Sequence, residues 1–337
     1  MEKKRILITG ASGFIGSTTA DRALELGYET WAGIRSSSSR RYLQGKPLHF
    51  IDLQYHDKEM LREQLQQVVK GNGRFHHIIH IAGLTKARRK SDFDRVNYGY
   101  TRNLVEALTE IGALPDTFVL MSSLSAMGAG DECNYTPIRS DQQPDPATAY
   151  GRSKLKAENY LKSIEGFPYI ILRPTGVYGP RDRDYLILMK AVKSGLDVGA
   201  GYKKQILSFI HSEDLVNVIF TLIDKGRCRR EYLVADGECY TDSEFNAIVQ
   251  TALHRKHVIR LKLPLLLVRA AAVINETAAA LFGKAVTFNS DKYLIMRQRN
   301  WSCDTEPLKE EIGFSPKWRL REGVEQTAEW YKREGWL

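Results

Sequence analysis

Cysteine is scarce in this chain, four in 337 residues. Cys133, Cys228, Cys239 and Cys303 are widely scattered and none forms a Cys-x-x-Cys pair, so neither a zinc site nor a redox motif is indicated and no metal is expected. Without a disulfide framework, a reducing cytoplasm is the expected compartment. Long apolar runs are also lacking. After Met1-Glu2-Lys3-Lys4-Arg5 only Ile6-Leu7-Ile8 precede Thr9-Gly10, too short for a signal-peptide core. The most apolar stretch, Pro264 to Phe282, is interrupted by Arg269 and Glu276 and fails as a membrane span. There is no internal repeat, and no low-complexity tract beyond Ser36-Ser37-Ser38-Ser39. Nor is there a basic stripe interleaved with aromatics, so no nucleic-acid partner is expected. The formal net charge of +9 then reads either as a solvated basic surface or as a preference for anions. A few of these charges suffice to hold a phosphate-bearing small molecule.

What is present is ordinary for a soluble globular protein: 43% hydrophobic and 26% charged residues, in a chain long enough for two lobes. The first half alternates strand and helix. Arg5 to Thr9 reads as a buried strand, Gly10-Ala11-Ser12-Gly13-Phe14-Ile15-Gly16 as a turn, and the next residues to Leu26 as a helix stopped by Gly27. Glycines at 10, 13 and 16 let backbone approach a pyrophosphate, and a helix N-terminus offers free N–H groups. A second strand, Glu29 to Ile34, ends at Arg35. A carboxylate there would bond the adenosine ribose hydroxyls and repel a 2′-phosphate, whereas guanidinium groups and hydroxyls hold one. The expected cofactor is therefore NADP(H) in preference to NAD(H). A third strand, Leu48 to Leu53, places Asp52 and Leu53 beside the adenine. A helix spans Asp57 to Lys70. A fourth strand, Phe75 to Ile81, leads into Ala82-Gly83, small enough for backbone to pass a cofactor. His76 and His77 read as surface or packing residues. A long helix, Ser91 to Ile111, carries Asn97. A fifth strand, Asp116 to Ser122, puts Ser122-Ser123 at its carboxyl end, where ligands bind in open α/β sheets. Pro168 to Leu172 is a sixth strand. Beyond residue 180 the alternation loosens into shorter pieces, including strands Gln205 to Ile210 and Glu231 to Val234.

Ala149-Tyr150-Gly151-Arg152-Ser153-Lys154 begins a helix running to Ile164. A tyrosine four residues before a lysine puts phenol and ammonium on one helix face. A nearby cation favours the phenolate, which would let Tyr150 exchange a proton near neutral pH. A second Tyr-x-x-x-Lys, Tyr42 to Lys46, runs into Gly45 and Pro47, where no helix continues.

With these motifs in order, from Gly10/Gly13/Gly16 through Asp52, His80-Ile81-Ala82-Gly83, Asn97, Ser123, Tyr150/Lys154 and Arg173-Pro174, the chain resembles the extended short-chain dehydrogenase/reductase family over essentially its whole length. The resemblance implies a Rossmann-type doubly wound parallel α/β sheet in residues 1–180. Residues 181–337 would form a smaller C-terminal substrate-binding lobe, with some segments returning to the main sheet. It implies a catalytic set of Ser123, Tyr150, Lys154 and Asn97. Tyr150 is the acid/base, Lys154 lowers its pKa and holds the nicotinamide ribose, Ser123 bonds the reacting oxygen, and Asn97 supports a water-linked proton path. Pro174 and Val177 join the cofactor contacts. A homodimer through the helices Ser91 to Ile111 and Ala149 to Ile164 is also expected.

The family divides by substrate. Many sugar-nucleotide members carry an arginine where this chain has Leu207. The line from Leu207 to Leu215 instead resembles the 3β-hydroxysteroid dehydrogenase and dihydroflavonol reductase branch. The expected reaction is hydride transfer between NADP(H) and a secondary alcohol or ketone. The alternatives are a sugar-nucleotide epimerase or dehydratase with tightly bound NAD, and a cofactor-binding sensor without turnover. Pro264 to Phe282 reads as a helix covering the substrate lobe, or as a peripheral membrane, lipid or dimer contact.

Overall fold

The computed structural model describes residues 3–281, 286 and 288–337. Strands β1 (Arg5–Thr9), β2 (Glu29–Gly33), β3 (His49–Ile51), β4 (His77–His80), β5 (Thr117–Met121) and β6 (Tyr169–Pro174) join the strand Arg230–Val234 in one sheet. The spatial order is Arg230–Val234, β6, β5, β4, β1, β2, β3. Every neighbouring pair is parallel. The chain winds one way from β1 through β3, then crosses back to β4, which opens a crevice at the carboxyl ends of β1 and β4.

These strands are almost continuously apolar because both faces of the sheet are covered. Alternation divides the side chains between two cores. Ile6 and Ile8 of β1 pack with helix α1 (Phe14–Glu25) and the helix Ser212–Asp224. Leu7 faces the other way, onto α2 (Lys58–Asn72), α4 (Thr101–Glu110) and α5 (Ala149–Ser163), through Leu61, Leu65, Leu104, Leu108, Ala157 and Leu161. Caps mark the helix starts. The Asp57 side chain accepts from Met60 N–H ahead of α2, and Thr148 Oγ1 accepts from Gly151 N–H at 2.9 Å ahead of α5.

Two expected elements are interrupted. The helix expected from Ser91 to Ile111 is α3 (Lys90–Phe93), a π-helical turn over Asp94–Tyr100, and then α4. The widened turn holds Asn97, which propensity alone does not reveal. The strand expected from Gln205 to Ile210 splits at Ser208. Ile206–Leu207 pairs with Tyr240–Thr241 and Asn300–Trp301, and Phe209–His211 pairs with Gly176–Tyr178. A two-stranded parallel ribbon of Leu196–Ala200 and Ile259–Leu263 was not anticipated. The apolar segment expected at Pro264 to Phe282 is the helix Leu265–Leu281, and Phe282 lies outside the described residues.

A buried ion pair ties α5 to the sheet. Arg173 on β6 is 1% exposed and Glu158 on α5 is fully buried. The guanidinium meets the carboxylate through Nε at 3.1 Å and Nη2 at 2.6 Å, and also bonds Glu231. Ser122 Oγ donates to Glu158 Oε1. Removing one partner of such a pair strands a buried charge. Glu158→Ala should cost about 3–5 kcal/mol of unfolding free energy in urea titrations. A loss below about 1 kcal/mol would mean that Glu231 alone satisfies Arg173.

Candidate active site

The turn after β1 is tight enough to exclude side chains. Gly10 adopts φ +68°, and a Cβ there would lie 2.9 Å from Ala82 N. A Cβ on Gly16 would lie 2.2 Å from Gly10 O, so helix α1 and the turn are packed backbone to backbone. Gly13, which precedes α1, supplies no side-chain cap. The first-turn N–H groups beside half-buried Ser12, Phe14 and Ile15 can therefore meet an anion.

The wall of this crevice is set by a buried hydrogen-bonded chain. Thr9 Oγ1 accepts from Ile81 N–H at 3.1 Å and Ala82 N–H at 3.0 Å. It also lies 2.9 Å from His80 Nδ1, and His80 Nε2 lies 3.0 Å from Thr101 Oγ1. Thr101 already donates to Asn97 O at 2.8 Å. His80 Nε2–H must then donate to Thr101, and Thr9 O–H to Nδ1. Burial lowers the His80 pKa to about 3, so the ring is neutral. Thr9, His80 and Thr101 are not legible in the sequence as a unit, because a single polar residue on a buried strand carries no signal of its own.

Beyond the second strand, Arg35 is exposed and its guanidinium has no side-chain partner among the described residues. Arg40 and Arg41 are engaged elsewhere. Arg40 lies over Phe50, 4.4 Å from the ring centroid, and Arg41 pairs with Glu334 at 2.7 Å. Asp52 Oδ2 accepts from Ser36 N–H at 2.8 Å, which holds the loop after Arg35 against the end of β3. Leu53 is buried beside it.

Asn97, Ser123, Tyr150 and Lys154 converge at the carboxyl ends of β4 and β5. Asn97 is 2% exposed. Its Oδ1 accepts from Leu84 N–H at 2.7 Å, and its Nδ2 donates to Leu84 O at 3.1 Å and Ser153 Oγ at 2.9 Å. Gly83 passes so close that a Cβ would lie 2.9 Å from Asn97 Oδ1 and 3.2 Å from Lys154 Nζ. Ser122 and Ser123 face different ways. Ser122 is committed to Glu158, whereas Ser123 is half-buried, lines a cavity and stands close enough to Tyr150 to oppose the rise in its pKa. Lys154 Nζ donates to Met121 O at 2.8 Å and lies 6.0 Å from the Tyr150 ring centroid.

The electrostatics differ from the sequence expectation. Burial raises the Tyr150 pKa, with the Ser123 bond opposing it. Burial also lowers the Lys154 pKa to about 8, with Glu158 opposing. At the phenol, desolvation thus outweighs the opposing effect of Ser123. A further group escaped sequence reading. Asp291 Oδ2 accepts from Ala149 N–H at 2.9 Å and Tyr150 N–H at 3.3 Å, a carboxylate at the positive end of α5. It comes from a distant part of the chain, so no local pattern announces it.

Ser123 stands on one wall of a cavity of about 360 Å³. Leu124, Leu188, Leu207, Phe209, Phe245 and Trp301 make most of the remaining surface apolar, and Pro174 and Thr175 join it to β6. Val177, half-buried, follows in the short strand Gly176–Tyr178. Among the described lining residues Lys292 is the single cation.

A parallel doubly wound sheet with a glycine turn at β1 and polar groups gathered at the strand ends defines a Rossmann-type dinucleotide-binding protein. The chain belongs to the NAD dependent epimerase/dehydratase family, whose model matches residues 6–235, and it is an enzyme of that superfamily. Its relatives are functionally mixed. It is 25% identical to the ceramide reductase of Caulobacter vibrioides, over 98% of this chain and 96% of the relative. It is 26% identical to the UDP-glucose 4-epimerase of Vibrio cholerae, over 97% of this chain and 95% of the relative. The crystal structure of the Thermus thermophilus UDP-glucose 4-epimerase complex with NAD superposes with a TM-score of 0.77 at 20% identity, covering 97% and 99% of the two chains. No helix among the described residues is long and apolar enough to cross a membrane, and no cluster of metal-binding side chains occurs among them.

The Lys154 environment sets a pH dependence. Below pH about 8 the folded protein carries the full cost of a buried ammonium. Between pH about 8 and 10.5 the unfolded chain still holds that proton while the folded state has released it, so this group makes stability rise with pH in that window. Lys154→Met should therefore melt higher than wild type at pH 7, by roughly a few degrees, and the gap should narrow toward pH 10. Parallel melting curves across that range would contradict a desolvated Lys154.

Proposed function

We propose that this protein is an NADP(H)-dependent oxidoreductase acting on an apolar secondary alcohol or ketone, and that it runs most readily toward the alcohol. The observation that carries this reading is the placement of Ser123. It stands beside Tyr150 on one side and on the other lines a cavity with more apolar than polar surface. The glycine turn and the N-terminus of α1, which no side chain caps, fit a dinucleotide pyrophosphate, because the first-turn N–H groups are left to meet an anion. A nicotinamide dinucleotide supplies or accepts hydride when bound. The chain's own part is to orient the substrate and move a proton. Ser123 bonds the substrate oxygen. Tyr150 keeps its proton at neutral pH because burial raises its pKa, so it is poised to donate to a ketone oxygen. Lys154 holds the ribose, and Asn97 fixes Leu84 and Ser153 around that path.

The substrate class rests on what the cavity lacks. A nucleotide diphosphate needs cations to hold it, and Leu207 stands where many sugar-nucleotide members carry arginine. One relative is named for the reduction of ceramide, a lipid, which agrees with an apolar lining. The similarity to a UDP-glucose 4-epimerase favours the second reading, an epimerase or dehydratase that recycles bound NAD. We further propose a cytoplasmic homodimer packed through α4 and α5. Light scattering that reports a monomer would contradict the dimer.

Tyr150→Phe should lower kcat by about two to four orders of magnitude, the usual contribution of a positioned acid, while the Kd for NADP(H) stays within about twofold. Full activity in this variant would remove Tyr150 from the mechanism. Arg35 should select the 2′-phosphate. Charge-assisted bonds to it are worth roughly 1.5–3 kcal/mol, about a ten- to hundredfold preference for NADP(H) over NAD(H). Arg35→Asp should abolish that preference by weakening NADP(H) alone. Equal wild-type affinities for the two would contradict the assignment.

A further inference from the structure

The ribbon beside the cavity has two unlike faces. Side chains alternate along each strand, and the parallel register pairs Leu196 with Ile259, Val198 with Leu261 and Ala200 with Leu263. On the inner face Asp197 is buried, accepts from Asn246 Nδ2 at 2.7 Å and meets Arg260 Nε at 3.6 Å. Lys262 on that face reaches Asp242 at 3.7 Å. The other face is therefore a strip of leucine, isoleucine and valine, each at least a third exposed, with half-buried Ala200 at its end. Ile259 is 66% exposed and Leu261 46%. The next element in the chain is also aliphatic on its exposed side. Helix Leu265–Leu281 buries a thin stripe of Val268, Ala272 and Ala279 and leaves Leu266 at 73%, Ile274 at 68%, Leu267 and Val273 exposed. A folded domain rarely leaves so many large aliphatic side chains open without a use for them.

The charges around the strip select the occupant. Residues 255–281 contain five cations, Arg255, Lys256, Arg260, Lys262 and Arg269, and one carboxylate, Glu276. Arg255, Lys256 and Arg269 are exposed and form no ion pair among the described residues. Tyr202 and Lys203 extend exposed from the end of the ribbon, an aromatic and a snorkelling cation at one edge. A second copy docking on this face by two-fold symmetry would bring like charges together. An anionic lipid surface neutralises them while taking up the aliphatic side chains. Val198 and Ala200 belong both to the ribbon and to the cavity wall, so the face adjoins the site.

We propose that the outer face of the ribbon and the helix Leu265–Leu281 form a peripheral membrane-docking surface for anionic phospholipid bilayers, placing the mouth of the cavity against the lipid. The docking does not depend on which reaction the enzyme performs, so it can fail while the oxidoreductase reading stands, and the reverse.

Flotation of the full chain with vesicles of phosphatidylcholine containing about a third phosphatidylglycerol tests it, with pure phosphatidylcholine vesicles alongside. Wild type should float with the anionic vesicles and release as salt rises. Leu266→Ser/Ile274→Ser should reduce the bound fraction at least about tenfold, as should Lys256→Glu/Arg269→Glu. Both should keep the wild-type circular dichroism spectrum and melting temperature, which establishes that they fold. Wild type that stays at the bottom of the gradient, or variants that float as well as it does, would overturn the proposal. A wild-type oligomer that falls apart in Leu266→Ser/Ile274→Ser, without vesicle binding, would assign the face to a second copy instead.

Discussion

The buried contact of Arg173 with Glu158 and Ser122 is the constraint on which the site depends. Arg173 lies near the end of β6, Ser122 follows β5, and Glu158 lies on α5. Fixing these three elements to one another fixes the rotation of α5 about its axis. Lys154 lies one turn before Glu158 on the same face, so its ammonium arrives at Met121 O, at the end of β5. Tyr150, a further turn back, arrives beside Ser123. Asp291 pins the start of the same helix from the C-terminal part of the chain. The interaction adds no chemistry of its own. A buried charge pair is a costly way to gain stability, and here its effect is geometric: a displaced α5 would separate Tyr150 from Ser123.

Desolvation sets the protonation states. In sequence, a tyrosine near a lysine suggests a phenolate. In the fold both groups leave water, and burial disfavours both charged forms. Tyr150 is held protonated and Lys154 titrates at about 8. A neutral phenol is the form that donates, which suits reduction of a carbonyl. The cavity carries the same logic outward. It has few charges to spend on an ionic substrate, and its apolar wall continues into the exposed face of the ribbon.

Much of the fold was legible because the signals were local. Short apolar runs closed by glycine or by polar turns located the strands of the main sheet. Gly10, Gly13 and Gly16 between a strand and a helix marked the turn whose backbone contacts exclude any Cβ at Gly16. Tyr150 and Lys154 were readable from spacing, and Ser123 from its place after β5. What escaped reading was non-local or geometric. The π-helical turn around Asn97 interrupts a helix whose apolar periodicity looks continuous. Asp291 reaches α5 from more than a hundred residues away. The ribbon Leu196–Ala200/Ile259–Leu263 joins two strands whose pairing no turn announces, and its alternation of aliphatic and charged residues gains meaning only once Asp197 and Asp242 are seen to occupy one side.

The central claim is that this fold performs net oxidation or reduction rather than returning its hydride to the same substrate. The most direct measurement follows the nicotinamide absorbance band while product is quantified in the same reaction, with purified enzyme, NADPH and a panel of amphipathic ketones. The account predicts one NADPH consumed for each alcohol formed. Product appearing without a change in that band, from a sugar nucleotide and with the cofactor retained on the protein, would contradict it.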